Sequence, residues 1–321
     1  MDKRTVSVII PCYNGAKFLA ETIESVLKQS HTSCEIVVVD DGSTDGSDAI
    51  ASSFAGVRCV RQANQGTSAA RNTGLRSTSG DYVVFLDADD RLLPDAIEFG
   101  LRELEARPDC AFVYGTSSMI DVAGRPIDSG TRDIEQEHER RFGHAGFASL
   151  LAGHGLVPPA TALFRRAPLD AIGGFDPGHS ITEDHELYLR IARRFPIHRH
   201  GRVVVEYRQH PLNISRLSAT NTLRAVLKAM DVHRDYVRGK PDLEEAYRVG
   251  RRHWSRIFGP ALAGEAVGSL RRGRLRQTAR AMTALLRHYP RGIPEYCLAR
   301  LRAGARNGRA GETAQSTALR A

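Results

Sequence analysis

The chain has 321 residues, 41% hydrophobic and 26% charged, with a formal net charge of +8 and a mean hydropathy of −0.32. That composition excludes a disordered chain, a collagen-like repeat and a disulfide-stapled miniprotein. No stretch approaches the roughly 20 uninterrupted apolar residues of a spanning helix, which excludes a polytopic membrane protein. The apolar run at 6–11 contains Ser7 and is too short for the core of a secretion signal, so a cytoplasmic chain is expected. The five cysteines, at 12, 34, 59, 110 and 297, make no C-x-x-C pair and give neither a disulfide framework nor a structural zinc site. Charge is unevenly placed: residues 1–217 carry a net −5 and residues 218–321 a net +13. An acidic body and a basic, Arg-rich extension should do different jobs.

In chain order, 6–11 is a short β-branched run that predicts a buried strand. A helix is expected over 16–30, with Phe18, Leu19, Ile23, Val26 and Leu27 at helical spacing. Strands follow at 35–40, 57–61 and 81–87, separated by helices over 47–54 and 67–78. A helix over 93–106 and a strand at 111–114 complete a β-α-β-α series. That order implies an open, mostly parallel α/β sheet with helices on both faces. The pattern weakens over 116–160, a polar stretch that turns Gly/Pro-rich and reads as a functional loop. Strands at 161–164 and 203–207 flank a helix over 185–195. Beyond 217 only helices are expected. One carries Leu223, Val226, Leu227, Met230 and Val237. Another spans about 265–288, with Leu275, Ala279, Met282 and Leu286 on one stripe and Arg276, Arg280 and Arg287 beside it.

Three strands run into short polar sequences: Cys12–Tyr13–Asn14–Gly15, Asp41–Gly42–Ser43–Thr44–Asp45 and Asp87–Ala88–Asp89–Asp90. Such residues make turns anywhere. Three of them at consecutive strand ends, however, fall where open α/β sheets bind ligands. Asp87 and Asp89 alternate in extended backbone and therefore point to one side. Two like charges so placed repel unless a cation lies between them. Oxygen ligands of this kind suit Mg²⁺ or Mn²⁺, held by one or two carboxylates plus substrate phosphates.

The series SVIIPCYNG, EIVVVDDGSTDGS, NQGTSAARNTGL, GDYVVFLDADD, GGFD, TEDHELYLRIA and YRQHPLNIS resembles the family 2 glycosyltransferases over about residues 5–216. The rest of the chain falls outside it: a basic, mainly helical extension is expected over 218–302, and 303–321 reads as a disordered tail. The resemblance implies a GT-A, Rossmann-like sheet with helices on both faces for the catalytic domain, 1–217. It implies an inverting hexosyl- or N-acetylhexosaminyl-transferase that takes a UDP- or dTDP-sugar and uses Mg²⁺ or Mn²⁺. The acceptor would be a hydroxyl of a cell-surface glycan or a lipid-linked precursor.

Carried onto this chain, Pro11 and Tyr13 would line the nucleoside pocket and Asp40 would accept a hydrogen bond from the uracil ring. Gly66 would let the backbone approach the nucleotide, with Arg71 and Asn72 beside it. Asp87 and Ala88 would contact the ribose or sugar, and Asp89 would bind the metal. His210 would complete the metal site or touch the diphosphate. Asp184 would be the catalytic base, because an attacking hydroxyl must lose its proton to a facing group. The local pattern at Asp184 also fits a helix cap, since Ser180-x-x-Glu183 is a capping box. Asn14, Asp41, Asp90 and Glu183 are secondary candidates, and Asp90 reads equally as a turn cap. Residues 156–161 resemble the acceptor-side loop of the family.

The basic helices suggest contact with an anionic membrane surface, with Trp254, Phe258 and Tyr289 at the interface. They read equally as a solvated face that pairs with the acidic body. No nucleic-acid module is present, so nucleic acid is not an expected partner. Two other functions are compatible with the residues. A sugar-1-phosphate nucleotidyltransferase would carry a Gly-rich, Arg/Lys-bearing signature where this chain reads PCYNGAKFL. A non-catalytic glycan- or membrane-binding scaffold would have lost Asp89 or Asp184, and both are present.

Overall fold

A computed structural model describes residues 4–127, 145–153, 158–210, 213 and 218–296. Among these, nine strands form one sheet: β1 (Val6–Cys12), β2 (Cys34–Asp40), β3 (Val57–Arg61), β4 (Tyr82–Phe85), β5 (Arg91–Leu92), β6 (Phe112–Ile120), β7 (Pro126–Ile127), β8 (Ala162–Arg165) and β9 (Ile197–Arg208). Their order is β3-β2-β1-β4-β8-β6-β9-β5, with β7 paired to β6. β1 to β4 run parallel, as do β6 and β9. β8 is antiparallel to β4 and β6, and β5 to β9. The sheet is therefore mixed, where the sequence predicts a mostly parallel one. The parallel half comes from crossover helices in residues 6–85. β8 instead returns beside β4 after the 3₁₀ turn Pro159–Thr161, and an antiparallel neighbour needs no crossover.

The helices are α1 (Ala16–Leu27), α2 (Ser47–Ser52), α3 (Thr67–Arg76), α4 (Ala96–Glu105), α5 (Phe147–Leu151), α6 (Arg166–Ala171), α7 (Glu183–Ala192), α8 (Ala219–Asp231), α9 (Arg234–Val237), α10 (Pro241–Arg271) and α11 (Leu275–His288). Alternate residues of the central strands serve opposite faces. Val8, Ile10 and Val38 join Leu19 and Ile23 of α1 and Ile97 and Leu101 of α4 in one core. Val37 and Val39 face Ala70 of α3 on the other side. Burial on both faces explains why β1 and β2 read as continuous apolar runs.

Two expectations change. β6 continues to Ile120, past the predicted end at 114, because an irregularity over residues 114–117 breaks the alternation by which a strand is recognised. The single helix expected over 265–288 is two helices. Gly273, at φ +67°, takes a left-handed turn that ends α10 and lets α11 begin. Cys12, Cys34, Cys59 and Cys110 are free thiols, and Cys12 and Cys110 are buried. The 128–144 part of the long loop, residues 156–157, Cys297 and the tail at 303–321 lie outside the described residues.

The chain forms two compact units. The first comprises Met1–Ile214 and Ala225–Gly250, the second Ser215–Arg224 and Arg251–Ala321. In the first unit Val226, Leu227 and Met230 are at most 4% exposed, so this stripe belongs to a core. No described helix is long and apolar enough to cross a membrane.

Candidate active site

Parallel pairing brings the ends of β1, β2 and β4 onto one edge: Cys12 registers with Asp40, and Ile9 with Phe85. The loop after β1 is then tied to the loop after β2. The Asn14 N–H donates to Ser43 Oγ at 2.9 Å, and Asn14 Oδ1 accepts the Thr44 N–H at 2.9 Å. The N–H groups of Gly15 and Ala16 donate to Ser47 Oγ at 3.0 Å and Asp45 Oδ2 at 2.9 Å. α1 has no capping side chain of its own, so the DGSTDGS segment satisfies its first N–H groups across the sheet. Asp41 does the same for α3. Its Oδ1 accepts from Gln62 Nε2 at 2.7 Å and the Gln65 N–H at 2.9 Å, and its Oδ2 from the Gly66 N–H at 2.8 Å. Gly66, at φ +87° and ψ 165°, occupies a region open essentially to glycine, which fixes the entry to α3. Asp40 is fully buried. Its Oδ1 accepts the Ser43 N–H at 3.1 Å, while Oδ2 lies 3.3 Å from Arg61 Nε but has no hydrogen bond.

Arg71 of α3 links the end of β4 to the start of α7. Its Nη2 donates to Asp87 Oδ1 at 2.7 Å and its Nη1 to Glu183 Oε1 at 2.9 Å. The guanidinium lies 5.2 Å from the centre of the Phe175 ring and is 3% exposed. Its two carboxylate partners hold it protonated despite burial. Next along α3, Asn72 clamps the backbone of Phe175, donating from Nδ2 to the carbonyl at 2.8 Å and accepting the N–H on Oδ1 at 2.9 Å. Arg190 of α7 holds the same turn from the other side through the carbonyls of Ile172 and Gly174. GGFD is therefore a brace between α3 and α7.

Asp184 occupies the first turn of α7, where its Oδ1 accepts the His185 N–H at 2.7 Å. Burial pushes this carboxyl up to about 7, and the neighbouring Glu183 and Asp87 push the same way; Arg71 works against them. A carboxylate poised near neutrality is suited to general-base work. Just before it, Ile181 has φ +89°, a genuine outlier for a β-branched residue. Strain of this kind gathers where the surroundings fix a segment for function. His185 is fully buried, and its imidazole is pushed down to about 4 by burial and by His233, so it is neutral at pH 7.

Asp89 Oδ2 meets His210 Nε2 at 2.7 Å, and both side chains remain partly open, at 28% and 13% exposure. Arg208, the last residue of β9 and two before His210, ties the strand end to the same acidic loop. The Arg208 N–H donates to Asp90 Oδ1 at 2.9 Å, its Nε to the Asp89 carbonyl at 2.9 Å and its Nη2 to Glu21 Oε2 at 2.7 Å. The rings of His210 and Phe18 lie 5.4 Å apart. An imidazole and a carboxylate in contact and partly open suit a divalent cation that draws its other ligands from phosphate and water. No group of three or more His, Cys, Asp or Glu among the described residues could hold a metal ion.

Residues 7–173 match the family model described as glycosyl transferase family 2, which covers more than half of the chain. The chain belongs to this family. Among curated relatives, an uncharacterized glycosyltransferase of Rickettsia felis is 31% identical over 209 residues, 64% of this chain and 34% of that protein. Chondroitin synthase of Escherichia coli is 31% identical over 60% of this chain and 27% of the synthase. A putative teichuronic acid biosynthesis glycosyltransferase of Bacillus subtilis, TuaG, is 37% identical over 39% of this chain and 52% of TuaG. The chain thus spans about a third of the Rickettsia felis protein and about a quarter of the synthase. Residues 1–349 of S. aureus TarS, solved with UDP-GlcNAc, share the fold at a TM-score of 0.59 and 16% identity, covering 92% of each chain. A mannosyltransferase of Pyrobaculum calidifontis, solved with GDP-Man and Mn²⁺, does so at 0.58 and 19%, covering 90% of this chain and 86% of that one.

Within this family 2 chain the predicted residues fall into three groups. Asp40, Arg71, Asp87, Asp89, Asp184, Glu183 and His210 lie along one edge of the sheet or join it through Arg71. Pro11 is buried, Tyr13 is 57% exposed, and the Ala88 carbonyl accepts from Thr22 Oγ1 at 3.0 Å. Asn14, Asp41, Asn72 and Asp90 bond to the protein's own backbone. Arg208, Ser43, Asp45 and Ser47 hold the site's loops without being among the predicted site residues. Arg208 carried a signal, an arginine two residues before His210. The DGSTDGS residues looked like turn formers, and their partners are about 30 residues away.

Proposed function

We propose that this chain is an inverting glycosyltransferase that moves a sugar from a UDP- or dTDP-type donor to a hydroxyl of a glycan or lipid-linked precursor at an anionic membrane surface. The observation that carries the reading is Asp184, raised to about 7 and joined through Glu183, Arg71 and Asp87 to the strand-end acids. In the displacement, the acceptor oxygen forms a bond to the anomeric carbon as the bond to the donor phosphate breaks. Asp184 takes the hydroxyl proton, and the electron pair leaves with the nucleoside diphosphate. Asp89 and His210 would hold Mg²⁺ or Mn²⁺, which supplies positive charge to the leaving diphosphate. Asp40 offers Oδ2, which has no hydrogen bond of its own, to a base N–H.

The test is calorimetric titration with UDP, dTDP, GDP and CDP, with and without Mn²⁺. The expected result is Mn²⁺-dependent binding of UDP or dTDP, lost in Asp89→Ala. Binding unchanged by that substitution removes the metal role. Binding of none of the four removes the transferase reading.

A further inference from the structure

The stripe Leu275–Ala279–Met282–Leu286 is not the face that α11 buries. Leu275 is 71% and Leu286 60% exposed, while α11 buries Ala281, Ala284 and Leu285 instead. At about 100° per residue, Leu275 and Leu286 fall within roughly 20° of each other on the wheel. Leu270, just before the turn at Gly273, is 57% exposed as well. The aromatic anchors expected for this region are engaged internally. Trp254 is 3% exposed, its ring 6.2 Å from that of Phe258, and Tyr289 lies against Gly259.

The charge around the leucines is of one sign. Arg271, Arg272, Arg274 and Arg276 surround the turn, all exposed and none with a carboxylate partner among the described residues. Between residues 251 and 296 the only acids are Glu265 and Glu295. Glu265 accepts from Ser218 Oγ and the Thr220 N–H at 3.1 Å each, and Glu295 accepts from Tyr289 Oη at 2.6 Å. The sequence after 296 holds five arginines and one glutamate, so its net charge has the same sign.

We propose that the exposed leucine face of α11, with the arginine-rich α10–α11 turn, lies in the plane of an anionic lipid bilayer. The leucines enter the acyl boundary and the arginines meet headgroup phosphates. The inference rests on the membrane part of the reading above and names the segment that makes the contact. Nucleic acid would use the arginines and leave the leucines in water.

The experiment compares the full chain on phosphatidylglycerol-containing and pure phosphatidylcholine vesicles by co-sedimentation. Wild type should bind the anionic vesicles, and more weakly as salt rises. Replacing Arg271, Arg272 and Arg274 together by Ser should weaken binding about a hundredfold, at roughly fivefold per arginine. The double variant Leu275→Glu, Leu286→Glu should lose at least about tenfold. Both leucines are exposed, so an unchanged circular-dichroism melt is expected. Leu275→Trp should show a blue-shifted fluorescence gain on vesicles. Equal binding by wild type and the leucine variant overturns the assignment of this face but leaves membrane binding standing. No wild-type binding overturns both. Leucine-dependent self-association in sedimentation velocity, without vesicle binding, makes the face a protein interface and overturns the proposal. Nucleotide titration of the same variants should be unchanged. A chain that binds vesicles but no nucleotide refutes the transferase reading and leaves this one intact.

Discussion

The loops after β1 and β2 and the acids at the end of β4 and the start of α7 are built from the same residue types, but they use them differently. In the first region the polar side chains satisfy one another: Asn14, Asp41, Asp45 and Ser47 each accept backbone N–H groups from a neighbouring loop. In the second, Asp87, Asp89, Glu183 and Asp184 crowd together, with Arg71 between Asp87 and Glu183 and His210 against Asp89. Glu183 Oε2 is buried without a hydrogen bond, and burial raises both Asp89 and Asp184. A carboxylate with every lone pair bonded to the chain holds a loop. One kept buried beside like charges is poised for a proton, a cation or a ligand.

Substitutions in the two regions should therefore fail in different ways. The largest effect is expected for Asp184→Asn, which should lower kcat by about 10²–10⁴-fold while leaving nucleotide affinity unchanged. Wild-type turnover in that variant would remove Asp184 from the mechanism. Arg71→Met leaves two carboxylates without their shared cation and should cost about 3–5 kcal/mol in urea unfolding. Arg71→Lys keeps a charge but not the two-pronged geometry. It should fold, and its pH–rate inflection should lie above the wild-type value near 7, because Arg71 holds Asp184 down. An unshifted inflection would uncouple the two residues.

Asp41→Ala tests the loop-holding side. Three hydrogen bonds disappear, so a loss of about 1–3 kcal/mol is expected, with KM for the donor rising more than kcat falls. A pure kcat defect would move Asp41 into the chemistry. The smallest effect is on stability and concerns Asp184 again. Folding raises this carboxyl from 3.8 to about 7. Protonated in both states below the ordinary carboxyl range, Asp184 then costs the fold nothing, and the folded state loses stability relative to the uncharged variant as pH rises from there through 7. Asp184→Asn should be more stable than wild type at pH 8 by roughly 1–2 kcal/mol, after discounting for partial exposure, with the gap closing by pH 4. A gap that widens on acidification would show that the carboxyl is not raised.

Much of the site was legible because its signals are local. A β-branched run ending in Asp or Asn marks a strand end, and three such ends in a parallel series must share an edge. The Asp87–Asp89 alternation likewise needs only extended backbone. What could not be read was partnership. Asn72 looks like a nucleotide contact until Phe175, 103 residues on, takes both ends of its amide. Asp90 looks like a turn cap, yet it accepts the N–H of Arg208, 118 residues away.

By itself the sequence determined the α/β class, the strand ends that form the edge, the acids placed there and the basic character of the extension. Each of these follows from periodicity, turn chemistry or composition within a short window. Tertiary structure alone decided that the sheet is mixed, that Asp41 and Asn72 brace loops, and that Arg71 joins Asp87 to Glu183. It also decided that the leucine stripe of α11 faces outward. A stripe shows only that one helix face is apolar; which face the fold buries depends on what packs there, and that is set by residues distant in the chain.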